Sequence, residues 1–245
     1  MSAPENAIKP SDNSPSYQFS MKPSQYLKTI VPVAYFLLAA LSHAAQTLPD
    51  APEKVAPLTV GSKAPTLVLP AADGPFDLGK AIAQKPTILV FYRANWCGLG
   101  RDALAEFQRE APFFGAVGFQ IIAVSTDTPE SLKPAAESNQ LGFPLLSDRS
   151  LSLASAYGIA FRASKKLVND YSKKGISLAS IPGEENASGL LVPSVFIVDN
   201  TGVIRWVYSN PKRNPTPSEL IAATAKAHRH IVSQSIPTAT LAAQL

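Results

Sequence analysis

The run Thr87-Ile-Leu-Val-Phe-Tyr92 sets the terms for any fold this chain can adopt. Its β-branched, aliphatic and aromatic residues leave no polar face for water, so a strand built from them must be covered on both sides. That calls for a sheet with helices on its two faces. The run leads through Arg93-Ala-Asn-Trp-Cys97-Gly into Leu99–Glu110, where Leu104, Phe107 and Ala111 fall at helical spacing and Pro112 is expected to end the helix.

The rest of the body alternates in the same way. Phe119–Ser125 reads as a second buried strand, and Thr128-Pro129-Glu130 supplies an N-cap, a proline at the first helical position and an acid in the first turn. Phe143–Asp148 is a short extended piece, followed by a short helix through Ala156. Residues 157–192 form an excursion, with a helix at Ser164–Lys173 and a loop around Pro182–Asn186. Ser194–Asp199 and Val203–Tyr208 are strands joined by Asn200-Thr-Gly202, a hairpin signal with glycine available for positive φ. Thr216-Pro-Ser-Glu219 is a capping box that opens a last helix to about Ile231. Strands alternating with helices, then a terminal hairpin, predict an α/β fold with a central mixed sheet flanked by helices, interrupted by a helix and loop insert before the last hairpin.

The N-terminus reads differently. Lys22 and Lys28 precede the apolar run Ile30–Leu41, which is followed by Ser42-His43-Ala44-Ala45. A spanning helix needs about 20 apolar residues, and this run is shorter. A basic region, a short apolar region and a small-x-small site at Ser42 and Ala44 read as a secretory signal peptide, with an uncleaved membrane anchor as the alternative. Met21 is an alternative start, which would leave residues 1–20 as an upstream extension. The expected organisation is residues 1–44 as extension plus signal, 45–57 as an extended proline-bearing linker, 58–233 as the domain and 234–245 as a tail. The expected location is exported and periplasmic, or anchored to the inner membrane.

Charge gives few further clues. A net charge of +4 spread along 245 residues leaves no basic run for nucleic acid. No Cys/His cluster has zinc spacing, and His228 and His230, two apart, face different sides of a helix. Neither a metal nor a cofactor is expected. Asn186-Ala-Ser188 fits a glycosylation sequon that a bacterial export signal makes accidental.

The single cysteine carries the chemical interest. Cys97 stands at the opening of a helix, where unpaired amides and the helix dipole stabilise a thiolate. Arg93 and Arg101 flank it at four residues on either side. The opposing reading is a buried, inert cysteine, since free cysteines are among the most buried residues. With one cysteine in the chain, any disulfide partner must come from another molecule.

The segment FYRANWCGLGR resembles the active-site segment of the peroxiredoxin-like branch of the alkyl hydroperoxide reductase/thiol-specific antioxidant (AhpC/TSA) family. The resemblance continues through AVSTDTPESL, FPLLSD, AYGIAFR, VPSVFIVDNTGVIRWVY and PSELIAA, in family order, over residues 58–230. It implies a thioredoxin-like fold and a thiol-dependent, antioxidant peroxidase with Cys97 as its catalytic sulfur. Four positions depart from the family pattern. Gly100 stands where the branch has a second cysteine, Val90 and Ala94 replace the proline and threonine of the peroxiredoxin motif, and Pro193 aligns with its later arginine. Pro193 instead resembles the cis-proline that faces the cysteine in thioredoxin-like proteins, so a cis Val192–Pro193 bond is expected.

The resulting expectation is a one-cysteine peroxidase. Arg93, and less directly Arg101, would stabilise thiolate and peroxide. Trp96 would shield the sulfur, while Gly98 and Pro193 would shape the site. Hydrogen peroxide or an alkyl hydroperoxide is the expected substrate. The reductant would be an external thiol, thioredoxin-like or of low molecular weight, or Cys97 of a second molecule in a homodimer. A monothiol disulfide-exchange protein and a non-catalytic binding module are the competing functions.

Overall fold

The computed structural model describes residues 47–181, 183–184 and 186–235. The predicted signal segment and most of the predicted tail lie outside the described residues. In chain order the strands are β1 (Val68–Ala71), β2 (Gly74–Asp77), β3 (Thr87–Phe91), β4 (Gln120–Ser125), β5 (Leu145–Ser147), β6 (Ala160–Arg162), β7 (Ala179–Ser180), β8 (Ser188–Leu191), β9 (Ser194–Val198) and β10 (Ile204–Ser209). The helices are α1 (Leu78–Gln84), α2 (Gly98–Ala116), α3 (Pro129–Ser138), α4 (Ser152–Ala156), α5 (Lys165–Ser172) and α6 (Pro217–Ser235).

Seven strands form one sheet in the order β10-β9-β3-β4-β5-β1-β2. β3, β4 and β5 run parallel, and antiparallel pairs extend the sheet on both sides. This is the expected mixed, helix-flanked sheet. Its centre is the apolar run at Thr87–Phe91: every residue of β3 is buried. Successive side chains of a strand point to opposite faces, and β3 divides accordingly. Leu89 and Phe91 join Ile122, Val124, Phe196 and Val198 on one face, with α1 and α4 supplying Leu78, Ile82 and Leu153. Ile88 and Val90 join Ile121, Ala123, Val195 and Ile197 on the other, covered by Leu104, Phe107 and Phe114 of α2, Leu132 of α3 and Leu220 of α6.

Helix α2 runs on through Pro112 to Ala116, against the expectation that the proline would stop it. Proline removes one helical hydrogen bond. Beyond it, however, Phe114 is fully buried against the sheet, and such burial contributes about 1.5–3 kcal/mol. Thr128 sits at the N-cap of α3 as expected, with Pro129 and Glu130 following, but its side chain makes no capping bond. The capping box of α6 is fully formed. The Thr216 amide donates to the Glu219 carboxylate at 2.7 Å and the Glu219 amide donates to the Thr216 hydroxyl at 3.3 Å.

The 157–192 excursion is a second, three-stranded antiparallel sheet, β6-β8-β7, with α5 packed beside it. Ser164 caps α5 by accepting the Leu167 amide. The stretch read as an extended linker instead contains a short 3-10 turn at Pro52–Lys54, and the chain around it is fastened to the body. The Pro49 carbonyl accepts the Arg162 amide at 2.7 Å, the Leu58 amide donates to the Tyr157 carbonyl, and Leu48 and Leu58 pack against the core.

The terminal hairpin is organised by Asp199. Its carboxylate accepts from the Thr201 amide and hydroxyl, the Val203 amide and Arg205 Nε. Burial alone would raise its pKa, but the bonds from Thr201, Val203 and Arg205 hold it below the usual carboxylate value. Gly202, at φ +76°, completes the turn. The strand register shifts between Ile204 and Trp206, a bulge at the residue whose guanidinium reaches back to Asp199.

Two stability predictions follow from these contacts. Tyr157 packs between Phe91 and Phe196, at centroid distances of 5.0 and 4.7 Å, with its buried hydroxyl lacking a hydrogen-bond partner. Tyr157→Phe should therefore match or exceed the wild-type denaturation midpoint, by up to about 1 kcal/mol. A clear loss would show that the hydroxyl has a partner. Glu219, bonded to Arg213 and Thr216, has its carboxyl held down from 4.5 to about 2. A depressed acid stabilises the fold above its unfolded pKa and ceases to do so as pH falls through the folded one. The Glu219 contribution should thus be complete at neutral pH and fade between pH 4.5 and 2. Thermal melts across that range should show a smaller pH dependence in Glu219→Gln.

Candidate functional site

The site forms where β3 ends. After Phe91 the chain leaves the sheet through Tyr92–Trp96 and re-enters regular structure at Cys97, the N-cap of α2. The Cys97 amide donates to the Ala94 carbonyl at 3.0 Å, closing a four-residue turn, and the Cys97 carbonyl accepts from the Gly100 and Arg101 amides. Cys97 is a free, half-buried thiol, and its side chain makes no capping bond to the helix. Cys97 thus opens a 19-residue helix, whose leading amides carry the positive end of its dipole.

Two neighbouring residues fix this turn from the next loop. Between β4 and α3, Thr126 Oγ1 donates to the Arg93 carbonyl at 2.9 Å. The Asp127 carboxylate accepts the Asn95 amide on both oxygens, at 2.9 and 3.2 Å. The same carboxylate takes the Ser125 hydroxyl at 2.8 Å and the Tyr92 hydroxyl at 3.3 Å. Burial, and then the Asp127 charge, push the Tyr92 phenol far above its ordinary pKa, so it stays a protonated donor. Thr126 and Asp127 were not singled out in the sequence. The signals available were their place just after the second buried strand, where chain emerging from parallel neighbours meets at one sheet end, and their membership of the AVSTDTPESL segment that carries the family resemblance.

The expected site residues separate on inspection. Arg93 is half-buried, and its Nε is buried with no hydrogen-bond partner, a donor left uncommitted. Arg101 spends its guanidinium on the loop, with Nη1 donating to the Asn95 carbonyl at 2.9 Å. Trp96 packs on Tyr171 of α5 at a centroid distance of 4.8 Å, tying the turn to the small sheet. Gly98 is exposed, and a Cβ built there would meet nothing within 4 Å.

Gly100 is the opposite case. It is buried, and a Cβ there would lie 2.8 Å from the Ala94 carbonyl oxygen and 3.2 Å from the Tyr92 ring. The position that carries a second cysteine in the resembling branch has no space for a side chain here.

Pro193 is buried and precedes β9, whose Ser194 pairs with Phe91. The strand register places it at the sheet end from which the cysteine turn leaves. The expected cis bond is absent: no cis peptide occurs among the described residues. The chain instead passes extended from β8 into β9. The Val192 amide bonds to Ile159, the Ser194 hydroxyl to the Val192 carbonyl, and the Pro193 carbonyl accepts the Asn210 amide. These bonds suit the trans form that prolyl peptides already favour by about 0.5–1 kcal/mol. Arg213, given no role by the sequence, forms a bidentate pair with Glu219 at 2.9 and 3.0 Å, and the adjacent Asn214 side chain donates to the Leu99 carbonyl in the first turn of α2.

No group of three or more metal-ligating side chains occurs among the described residues. A model of the AhpC/TSA family matches residues 60–207. The chain is 29% identical over 160 residues to a Mycobacterium tuberculosis protein named as a peroxiredoxin, spanning 65% of this chain and 90% of that one. It is 28% identical over 157 residues to the chloroplastic peroxiredoxin Q of Sedum lineare, spanning 63% and 71%. The crystal structure of a Mycobacterium tuberculosis peroxidoxin superposes with a TM-score of 0.55 at 20% identity, covering 71% of this chain and 98% of that one, a likeness of fold. The chain, with its single cysteine at the N-cap of the helix that follows the central strand, belongs to the AhpC/TSA family.

Proposed function

We propose that this protein is a thiol-dependent peroxidase that works through Cys97 alone. The observation that carries the reading is a free, half-buried thiol at a helix N-terminus, at the family's cysteine position and with its side chain uncommitted. The Cys97 thiolate attacks the terminal oxygen of a hydroperoxide. An S–O bond forms, the O–O bond breaks, and the leaving alkoxide or hydroxide takes up a proton, giving a sulfenic acid on Cys97. Negative charge grows on the departing oxygen, and the unpartnered Arg93 Nε–H is the donor best suited to meet it.

Regeneration takes two equivalents of an external thiol. The first condenses with the sulfenic acid, releasing water and leaving a mixed disulfide; the second displaces Cys97 as a thiol. The crowding around Gly100 supports this one-cysteine scheme, because the local backbone leaves no room for a second sulfur at that point. The apolar Ile30–Leu41 run behind Lys22 and Lys28 supports an exported enzyme that meets its reductant outside the cytoplasm. Cell fractionation that recovered the protein only in the cytosol would count against export.

The peroxidase reading makes two expectations concrete. Stoichiometric hydrogen peroxide should consume the free thiol faster than it consumes free cysteine, a dimedone adduct should form on Cys97, and Cys97→Ser should be inert. Arg93→Gln should slow the step by about tenfold or more. A wild-type rate no greater than that of free cysteine sinks the reading and leaves a binding module. At Gly100, substitution by alanine should cost about 1–3 kcal/mol of stability, the usual penalty of forced overpacking, whereas Gly98→Ala should shift the denaturation midpoint little. Equal midpoints for the two variants would remove the steric argument for a single sulfur.

A further inference from the structure

Resting on the peroxidase reading and extending it, we propose that Asp127, assisted by Thr126, is a positioning residue that holds the Cys97 turn in its reactive geometry. Side chains from two consecutive residues grip the chain on both sides of Ala94. Thr126 holds the carbonyl of Arg93, and Asp127 holds the amide of Asn95. Between them lies Ala94, whose carbonyl receives the Cys97 amide. Fixing residues 93 and 95 thus fixes the turn that seats the sulfur, and it fixes the backbone from which the Arg93 side chain leaves. Arg101 closes the same turn from the helix side through the Asn95 carbonyl.

The Asp127 loop is itself held rigidly. Its own carbonyl accepts the Ser147 hydroxyl at 2.6 Å, and its amide donates to Ser125 Oγ at 3.2 Å. The side chain at 127 is nearly buried, and a buried carboxylate is retained only where hydrogen bonds compensate for lost water. Here most of that compensation is spent on Tyr92 and Asn95, in the segment leading to Cys97, rather than on its own loop. Misplacement of a reacting group by about 1 Å can cost on the order of a hundredfold in rate, so an anchor of this kind acts on chemistry without touching substrate.

The test compares Asp127→Ala, Asp127→Asn, Thr126→Val and Thr126→Ser in the full chain. Each is read by the rate of Cys97 oxidation with hydrogen peroxide, the rate of alkylation by iodoacetamide, and hydrogen exchange over the segment containing Asn95. Asp127→Ala should lose about tenfold or more in the peroxide rate while alkylation changes far less. The Asn95 segment should exchange faster. Asp127→Asn should recover most of the loss, because an amide oxygen can still take the Asn95 N–H and its NH2 can donate to hydroxyls that accept as readily as they donate. Thr126→Ser should likewise recover what Thr126→Val loses.

The positioning role is overturned if Asp127→Asn is as slow as Asp127→Ala, or if peroxide and alkylation rates fall in parallel with stability. Should Asp127→Ala fail to fold, the threonine pair decides. A Thr126→Val protein with the wild-type peroxide rate overturns the proposal. The exchange measurement does not depend on peroxidase activity. An inactive wild-type protein would refute the peroxidase reading, whereas unchanged Asn95 exchange in Thr126→Val, with Asp127→Ala no faster where it folds, would refute the positioning role.

Discussion

A strand buried on both faces is the constraint from which the rest of this structure follows. β3 cannot form without a helical layer on each side, and the layers that cover it draw on helices both before and after it in the chain. It also cannot end quietly. Its last residues must pass from an apolar interior to the surface within a few positions, and polar groups exposed on the way need partners. Tyr92, Arg93 and Asn95 find them in the loop after β4, which leaves the sheet at the same end because β3 and β4 are parallel. The cysteine sits where that passage turns into a helix, so its placement is a by-product of how the central strand is buried.

Much of this was legible from sequence, for identifiable reasons. Strands 87–91, 120–125, 194–198 and 204–209 are long apolar runs whose periodicity leaves little choice, and the capping box at Thr216–Glu219 is a local motif that needs no tertiary help. The thiol at the start of a helix could be inferred because the elements on either side were secure. The hairpin of β1 and β2, with α1 behind it, left no comparable trace. Its strands have four residues each and are mostly exposed or half-buried, so alternation has little room to show.

What escaped the sequence reading was decided at a distance. Pro112 breaks helices in isolation, yet Phe114 beyond it is captured by the core. The family resemblance predicts a cis Pro193, but no cis peptide occurs among the described residues, and Val192, Ser194 and Asn210 bond around it in a chain running from β8 into β9. Asp127 lies 32 residues from the amide it holds, and nothing local to Ser-Thr-Asp-Thr announces that contact. Arg101, conspicuous beside the cysteine, is occupied by a backbone carbonyl, whereas Arg93 keeps an uncommitted donor.

The tight fit at Gly100 bears on how such a chain can change over generations. The Ala94 carbonyl that obstructs this position also receives the amide of the cysteine itself. A second thiol at position 100 therefore cannot arrive by a single codon change without disturbing the first. A cysteine pair at positions 97 and 100 would require the new cysteine and a retreat of the turn together, an adaptive valley rather than a step. On the one-cysteine scheme proposed above, dependence on an external thiol is in this sense reinforced by the backbone, and selection acting on one residue at a time tends to preserve it.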